Sequence, residues 1–231
     1  MGILGQQTTK QDIPSKIEIP DGHPIILGFS GHVGLSQKIK MALTNEWGGI
    51  KGGNHLAARN RLRDVMWAQI GPELEHGGIA ARVVGAQVAQ QTAICVSLVA
   101  LPIQGKPTLL SFDQQCAAEE VTLDLPFISI GSGAGTADPF VAFVKEALWA
   151  DRAPKTVHQG TLGAIWTLDY VIGKYPGGGI GGEITIGRLY EQGGKWVAEL
   201  VGEDLIAMHR QNIREATGKL SEYLISIKKD G

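Results

Sequence analysis

One short stretch decides the fold, and it reads Lys16-Ile17-Glu18-Ile19-Pro20-Asp21-Gly22-His23-Pro24-Ile25-Ile26-Leu27-Gly28-Phe29-Ser30. Polar and apolar residues alternate over 16–19, which predicts a half-buried strand. The Pro-Asp-Gly triplet that follows is typical of a turn. The apolar run over 24–30 then predicts a second, buried strand. The stretch therefore predicts a β-hairpin near the start of the chain.

Groups of helices and groups of strands alternate after this hairpin. Short turns between neighbouring strands favour antiparallel sheets, and consecutive helices favour layers that cover those sheets. Asp138 is predicted to be an N-cap, with Pro139 in the first helical turn. The predicted elements are helices over 33–47 and 55–75, strands over 92–103, 108–113, 120–123 and 127–130, helices over 138–149 and 156–175, a hairpin over 183–201 and a helix over 204–227.

The composition predicts one soluble domain over residues 1–231. The chain is 43% apolar and 19% charged, and its net charge of −2 provides no basic field for nucleic acid or anionic membranes. The longest apolar run, 93–103, is far shorter than the roughly 20 residues of a membrane-spanning helix. Cys95 and Cys116 form no CxxC pair, which favours a reducing compartment and a cytoplasmic location. No HxH or HxxxH spacing occurs, so we expect no metal site. The Gly131–Gly135 run lacks the third glycine and the following acidic residue of a dinucleotide-binding fingerprint, so we expect no cofactor.

Three further motifs follow the opening strand in a fixed order. They read Ile26-Leu27-Gly28-Phe29-Ser30-Gly31-His32-Val33-Gly34-Leu35-Ser36-Gln37, then Gly105-Lys106-Pro107-Thr108-Leu109-Leu110-Ser111-Phe112-Asp113 with Phe127-Ile128-Ser129-Ile130-Gly131-Ser132-Gly133, then Gly181-Gly182-Glu183-Ile184-Thr185-Ile186. Over nearly the whole chain they resemble the proteasome β-type subunits and their bacterial relatives in the N-terminal-nucleophile hydrolase superfamily. The resemblance implies an α+β fold, a four-layer α-β-β-α sandwich, and assembly into a homo-oligomeric ring.

The resemblance also implies four site residues. Lys16 matches the lysine that assists an N-terminal threonine nucleophile, and burial would lower its pKa; the alternative is a solvated strand lysine. Gly31 matches the glycine whose N–H forms the oxyanion hole, or it serves only the strand-to-helix turn. Ser132 matches a serine that relays a proton, or it belongs to a Gly- and Ser-rich turn. Phe29 would line the substrate pocket, unless it is a core residue.

The sequence departs from the family pattern in two places. The matching threonine and the first strand pair would lie upstream of Met1, and Thr8-Thr9 lies too close to Lys16 to leave room for that strand pair. The glycine-rich run 176–182 lacks the aspartate and serine that the family commonly has there. The hypotheses are a threonine-type peptidase completed by an upstream threonine, a non-catalytic structural subunit of a ring, an amidase of the same superfamily acting on small amides, and an enzyme using other residues.

Overall fold

A computed structural model describes residues 15–84, 95–122, 124–149, 156–175 and 180–227, which contain seven strands and five helices. The strands are β1 (Ile17–Glu18), β2 (Ile26–Gly31), β3 (Cys95–Ile103), β4 (Lys106–Phe112), β5 (Ala118–Glu120), β6 (Gly187–Gln192) and β7 (Lys195–Leu200). The helices are α1 (Val33–Lys51), α2 (His55–Val84), α3 (Ala134–Trp149), α4 (Val157–Lys174) and α5 (Glu203–Ile227).

The first five strands form one antiparallel sheet in chain order, and β6 and β7 form a second, two-stranded sheet. The predicted opening hairpin is present, because Ile17 pairs with Gly28 of the next strand. The turn between β3 and β4 places Gln104 at φ 50° and Gly105 at φ 74°. Two positive φ angles are what a tight hairpin turn requires. Short turns therefore set the order of the first sheet.

One hydrophobic core lies between the first sheet and the helices α1 and α2. Alternate residues of β3 are buried, as expected for a strand with one covered face. Fully burying a large apolar side chain contributes about 1.5–3 kcal/mol, so this first core is the main stabilising feature of the sheet. Its members include Ile25, Leu27, Phe29, Leu35, Ile39, Leu43, Leu62, Met66, Ile70, Val99, Leu101 and Phe112.

A second core joins α4 and α5 to the residues that flank the β6–β7 hairpin. Its members are Ile165, Ile184, Ile186, Val201, Ile206 and Ile213. The two sheets touch through Gly187, where a Cβ atom would lie 2.8 Å from Cγ2 of Ile26 and 3.2 Å from Cγ2 of Ile17. The fold is therefore mixed, with helices and a five-stranded antiparallel sheet. The four-layer sandwich and the single domain over 1–231 stay predictions.

Two helices are longer than predicted. The prediction that α1 ends at 47 is wrong, because the helix continues through Gly48 and Gly49 to Lys51. Ile50 is 1% exposed in the first core, and its burial offsets the cost of about 1 kcal/mol for each helical glycine. Helix α2 also continues past 75, to Val84, and Pro72 lies inside the part of it that the sequence predicted.

The prediction that Asp138 is an N-cap is also wrong. Helix α3 begins at Ala134, within the preceding glycine-rich turn. The carbonyl of Gly131 accepts a hydrogen bond from the Ala134 N–H (3.1 Å), and that of Gly133 accepts one from the Ala137 N–H (2.9 Å). These bonds close the first helical turn upstream of the Asp-Pro pair.

The predicted strand over 127–130 is not a strand, because these residues have no ladder pairing among the residues the structure describes. The strand predicted over 120–123 lies earlier, at Ala118–Glu120, where it pairs with the end of β4. The late hairpin forms around Gly193 and Gly194, as predicted. Within the described ranges, none of the helices combines the length and the apolar character that crossing a bilayer requires.

Candidate functional site

The structure brings the segments that carry Lys16, Gly31 and Ser132 to one end of strand β2. The carbonyl of Lys16 accepts a hydrogen bond from the Phe29 N–H (3.1 Å). Lys16, which directly precedes β1, therefore lies beside the C-terminal end of β2. Gly31 ends β2 opposite Cys95, with φ 119°. This conformation favours glycine. Both backbone segments are thus placed by strand pairing alone.

The turn that contains Ser132 packs directly against β2. Gly131 has φ 88°, and a Cβ atom there would lie 2.9 Å from Oγ of Ser30. A methyl group there would require the Ser30 hydroxyl to turn away, and the positive φ by itself favours glycine. A glycine at this position therefore lets the turn approach the strand next to Gly31.

The same turn is held from the other side by α4. A Cβ atom on Gly133 would lie 3.0 Å from Cγ1 of Val171 and 3.7 Å from Cδ1 of Ile180. Close by, the hydroxyl groups of Thr136 and Tyr175 lie 2.8 Å apart and share a hydrogen bond. The turn is thus fixed between β2, α4 and the start of α3.

Exposure separates the four predicted site residues. Lys16, Gly31 and Ser132 are exposed, whereas Phe29 is 3% exposed within the first core. The described residues therefore do not provide the burial expected for Lys16. A substrate contact by Phe29 stays a prediction, and its side chain has the position of a core residue. The catalytic roles of the other three also stay predictions.

An aromatic groove of about 380 Å³ lies a few residues after Ser132, between α3 and α4. Phe140 and Tyr170 stack in it with ring centroids 4.0 Å apart and an angle of 8° between the rings. Phe143 lines the same groove and is 53% exposed. Gly135, Thr136 and Pro139 complete the lining of the groove.

Sequence reasoning missed Ser30 as a site residue. Its hydroxyl lies where the three segments meet, against the Gly131 turn. The sequence pattern could have indicated part of this, because alternation along β2 places Ser30 on the sheet face opposite to that of the core residue Phe29. Its contact with a turn so distant in sequence could not be read from that alternation.

The two cysteines do not supply an alternative nucleophile. Both are buried, and both belong to the first core. Burial, followed by the charge of Asp113, raises the pKa of Cys116 to about 11. A thiol with such a pKa is protonated near neutral pH and unreactive. Among the described residues, no group of three or more His, Cys, Asp and Glu side chains could hold a metal ion.

Comparison with known proteins places the fold beside solved Anbu structures. The Anbu complex from Pseudomonas aeruginosa, described as a helical assembly, is 17% identical with a TM-score of 0.58, over 86% of this chain and 78% of that chain. Anbu (ancestral beta-subunit) from Yersinia bercovieri is 14% identical with a TM-score of 0.56, and an Anbu mutant from Hyphomicrobium sp. strain MC1 is 13% identical with a TM-score of 0.56. Each of these two comparisons covers 90% of this chain and 86% of the other. No protein-family model matches the sequence, and no curated protein does.

These structures correct the family predicted from the motifs. The assignment to the proteasome β-type subunits and N-terminal-nucleophile hydrolases is wrong, because the structures that share the fold are Anbu proteins, a proteasome-like but distinct family. The motif residues form alternating strands and tight turns. Glycines such as Gly131 and Gly187 also let neighbouring segments of the backbone lie close together. Related families that share a fold share those needs, so such motifs cannot separate them. At these identities the likeness establishes the fold alone.

Proposed function

We propose that this chain is a cytoplasmic subunit of a proteasome-like homo-oligomer, with the four-layer architecture expected from the motifs. The fold shared with Anbu proteins supports this proposal, and one of those structures is described as a helical assembly. The observation that carries it is an uncovered apolar surface on α5. We call this surface the α5 stripe, and its members are Leu220, Tyr223, Leu224 and Ile227.

The α5 stripe continues the buried face of its own helix. Ile206 and Ile213 lie in the second core, and Leu220 and Ile227 follow at the same seven-residue spacing. Every residue from 214 to 227 is exposed, and the four stripe residues are 51–64% exposed. A helix with an apolar face is stable in water when another surface covers that face. The second half of α5 thus has the character of an interface element.

A second copy of the chain fits this surface. In an antiparallel pair of α5 helices with its two-fold axis at Leu220, Ala216 faces Leu224 of the other copy and Thr217 faces Tyr223. Large residues then lie against small ones on both sides of the axis, which is the self-complementarity that an isologous contact needs. The covered area would be on the order of 1,000 Å², near the lower limit for a specific interface. Further contacts elsewhere would complete a larger assembly.

A substitution within the stripe tests the proposal. Leu224→Lys places a charge in the proposed contact, and we expect it to weaken self-association by at least about tenfold. Glu222→Lys introduces the same side chain on the opposite face of the same exposed turn, because residue 222 is not three or four residues from any member of the stripe, and we expect it to leave association unchanged. Native mass spectrometry of both variants measures the distribution of assemblies. Equal behaviour of the two variants would exclude the α5 stripe as an interface.

A second candidate function is threonine-type peptide hydrolysis at the end of β2. The observation that favours it is the packing of the Gly131 turn on Ser30, which brings Ser132 near Gly31 and the Lys16 segment. A threonine at the N-terminus of a longer chain would be the nucleophile. The Gly31 N–H would stabilise the oxyanion, and Lys16 and Ser132 would assist proton transfer.

N-terminal sequencing and intact mass of protein purified from its source test this second candidate. A mature chain that begins with threonine upstream of Met1 would support hydrolysis, and turnover of peptides compared with small amides would then separate a peptidase from an amidase. A mature chain that begins at Met1 or Gly2 would exclude the threonine mechanism. The structural-subunit alternative, with no active site, would then remain.

A further inference from the structure

A pair of histidines joins α5 to α4 at the buried end of α5. His209 is 3% exposed, and its Nε2 lies 3.3 Å from Nδ1 of His158 in the first turn of α4. The ring centroids are 5.3 Å apart, and the rings are tilted by 58°. A neutral pair can share one proton, because one imidazole donates an N–H and the other accepts it. Two fully protonated rings would have no acceptor between them.

Among the described residues, the charged groups that act on His209 are His158 and Arg188, and neither is negative. Arg188 of β6 faces His209, and its guanidinium is already paired with Glu199 of β7. On α5 itself, Arg210 is paired with Asp169 of α4 at 2.8 Å. The carboxylates at this junction that the structure describes are thus both committed to arginines.

Two buried polar atoms at the junction also indicate that a positive charge on His209 would be poorly stabilised. Nδ1 of His209 and Nε of Arg188 are both buried without a hydrogen-bond partner among the described residues. An unpartnered buried group is costly, and a charged one is more so. The junction is therefore built to accept the neutral pair and not the charged one.

We propose that His158 and His209 form an acid-sensitive latch that holds the first half of α5 on α4 when neutral and releases it when protonated. This inference does not depend on the proposed assembly, since the latch lies in the buried half of the helix. If the α5 stripe is an interface, the latch would also make assembly pH-dependent, because the contact between His158 and His209 sets how α5, which carries the stripe, is oriented on α4.

The sign of the effect follows from the pKa of His209. Burial lowers this pKa below its ordinary value, and the charges of His158 and Arg188 lower it further. The released helix would have a histidine with an ordinary pKa of about 6.5. The open state then binds more protons than the closed state, so the latch is stable above that pH and weakens as the pH falls below it. The open fraction rises by up to about tenfold per pH unit.

Hydrogen exchange of the full chain between pH 8 and pH 5, corrected for intrinsic exchange rates, tests the latch. We expect protection of the amides around Ile206 and Ile213 to fall as the pH drops below about 6.5. His209→Gln should abolish this fall. His158→Gln, at an exposed position that should tolerate it, should reduce the total loss of protection. His76→Gln, an exposed residue of α2, should behave as the unsubstituted chain does.

Two results would overturn the latch. One is protection of the first half of α5 that stays constant from pH 8 to pH 5. The other is a fall in protection that His158→Gln leaves unchanged. The second result would decide the question even if His209→Gln does not fold.

Discussion

Gly131 is the residue on which the candidate site depends most directly. It combines a φ of 88° with a close approach to Ser30, whose Oγ would lie 2.9 Å from a Cβ atom at this position. Both constraints come from the fold, because the turn must close α3 and also pack on β2. The residue is therefore a structural requirement for bringing Ser132 near Gly31, whatever chemistry occurs there.

Replacing this glycine should destabilise the protein. We expect Gly131→Ala to lower the free energy of unfolding by at least about 1–2 kcal/mol, from the left-handed backbone alone. Gly135→Ala is a matched control, since its Cβ would meet nothing within 4 Å and its backbone is helical. There we expect a gain of about 0.5–1 kcal/mol. Urea unfolding followed by circular dichroism measures both, and an equal effect of the two substitutions would contradict this account of the turn.

The motifs pointed to Lys16, Gly31 and Ser132, and the structure gathers the segments that carry them at one end of β2. The motifs did not predict how exposed these side chains are. Lys16 was expected to be buried, and the described residues leave it exposed. The burial of a side chain at a strand end depends on which distant segments cover it, and local alternation carries no information about them.

At the scale of elements, the apolar patterns predicted which helices and strands exist far better than where they end. Gly48 and Gly49 lie inside α1, and Pro72 lies inside α2. Each of these residues opposes helix formation locally. Burial of Ile50 beyond the two glycines continues α1, and packing of Leu74 on the same core accompanies the passage of α2 through Pro72, which the predicted helix over 55–75 already included. Tertiary packing thus outweighed local preference at these positions, and a sequence pattern shows only the latter.

Close helix packing gives a prediction for α3 and α4. A Cβ atom on Gly163 would lie 2.8 Å from both Cη2 and Cζ2 of Trp149, so the indole must turn about its side-chain bonds or its helix must shift. We expect Gly163→Ala to cost about 1–3 kcal/mol, as overpacking typically does. Gly173→Ala on the same helix meets nothing within 4 Å and should raise stability slightly. Thermal unfolding of the two variants compares them, and a neutral Gly163→Ala would show that this contact is absent in solution.

Helix α5 shows what periodicity cannot reveal. Its apolar spacing is the same in both halves, yet the first half is buried against α4 and the second half is exposed. The sequence therefore predicted the helix but not which half its own body covers. The His158–His209 contact was missed for a related reason, since it joins two helices that are far apart in sequence.

For the whole molecule, the motifs predicted a proteasome-like fold and the wrong family within it. Strand alternation and turn glycines report the fold because the fold imposes them. A family is defined by the residues that do chemistry or form contacts between subunits, and this sequence lacks the full motif for either. The comparison of whole folds, which includes helix placement, was needed to reach the Anbu structures.

Self-assembly is the central claim, and sedimentation velocity of the unsubstituted chain over a range of concentrations tests it most directly. We predict a species whose mass is a multiple of the 24.6 kDa chain and whose population rises with concentration. A single species of 24.6 kDa at every concentration would contradict the claim. The α5 stripe would then be an exposed surface without a partner copy.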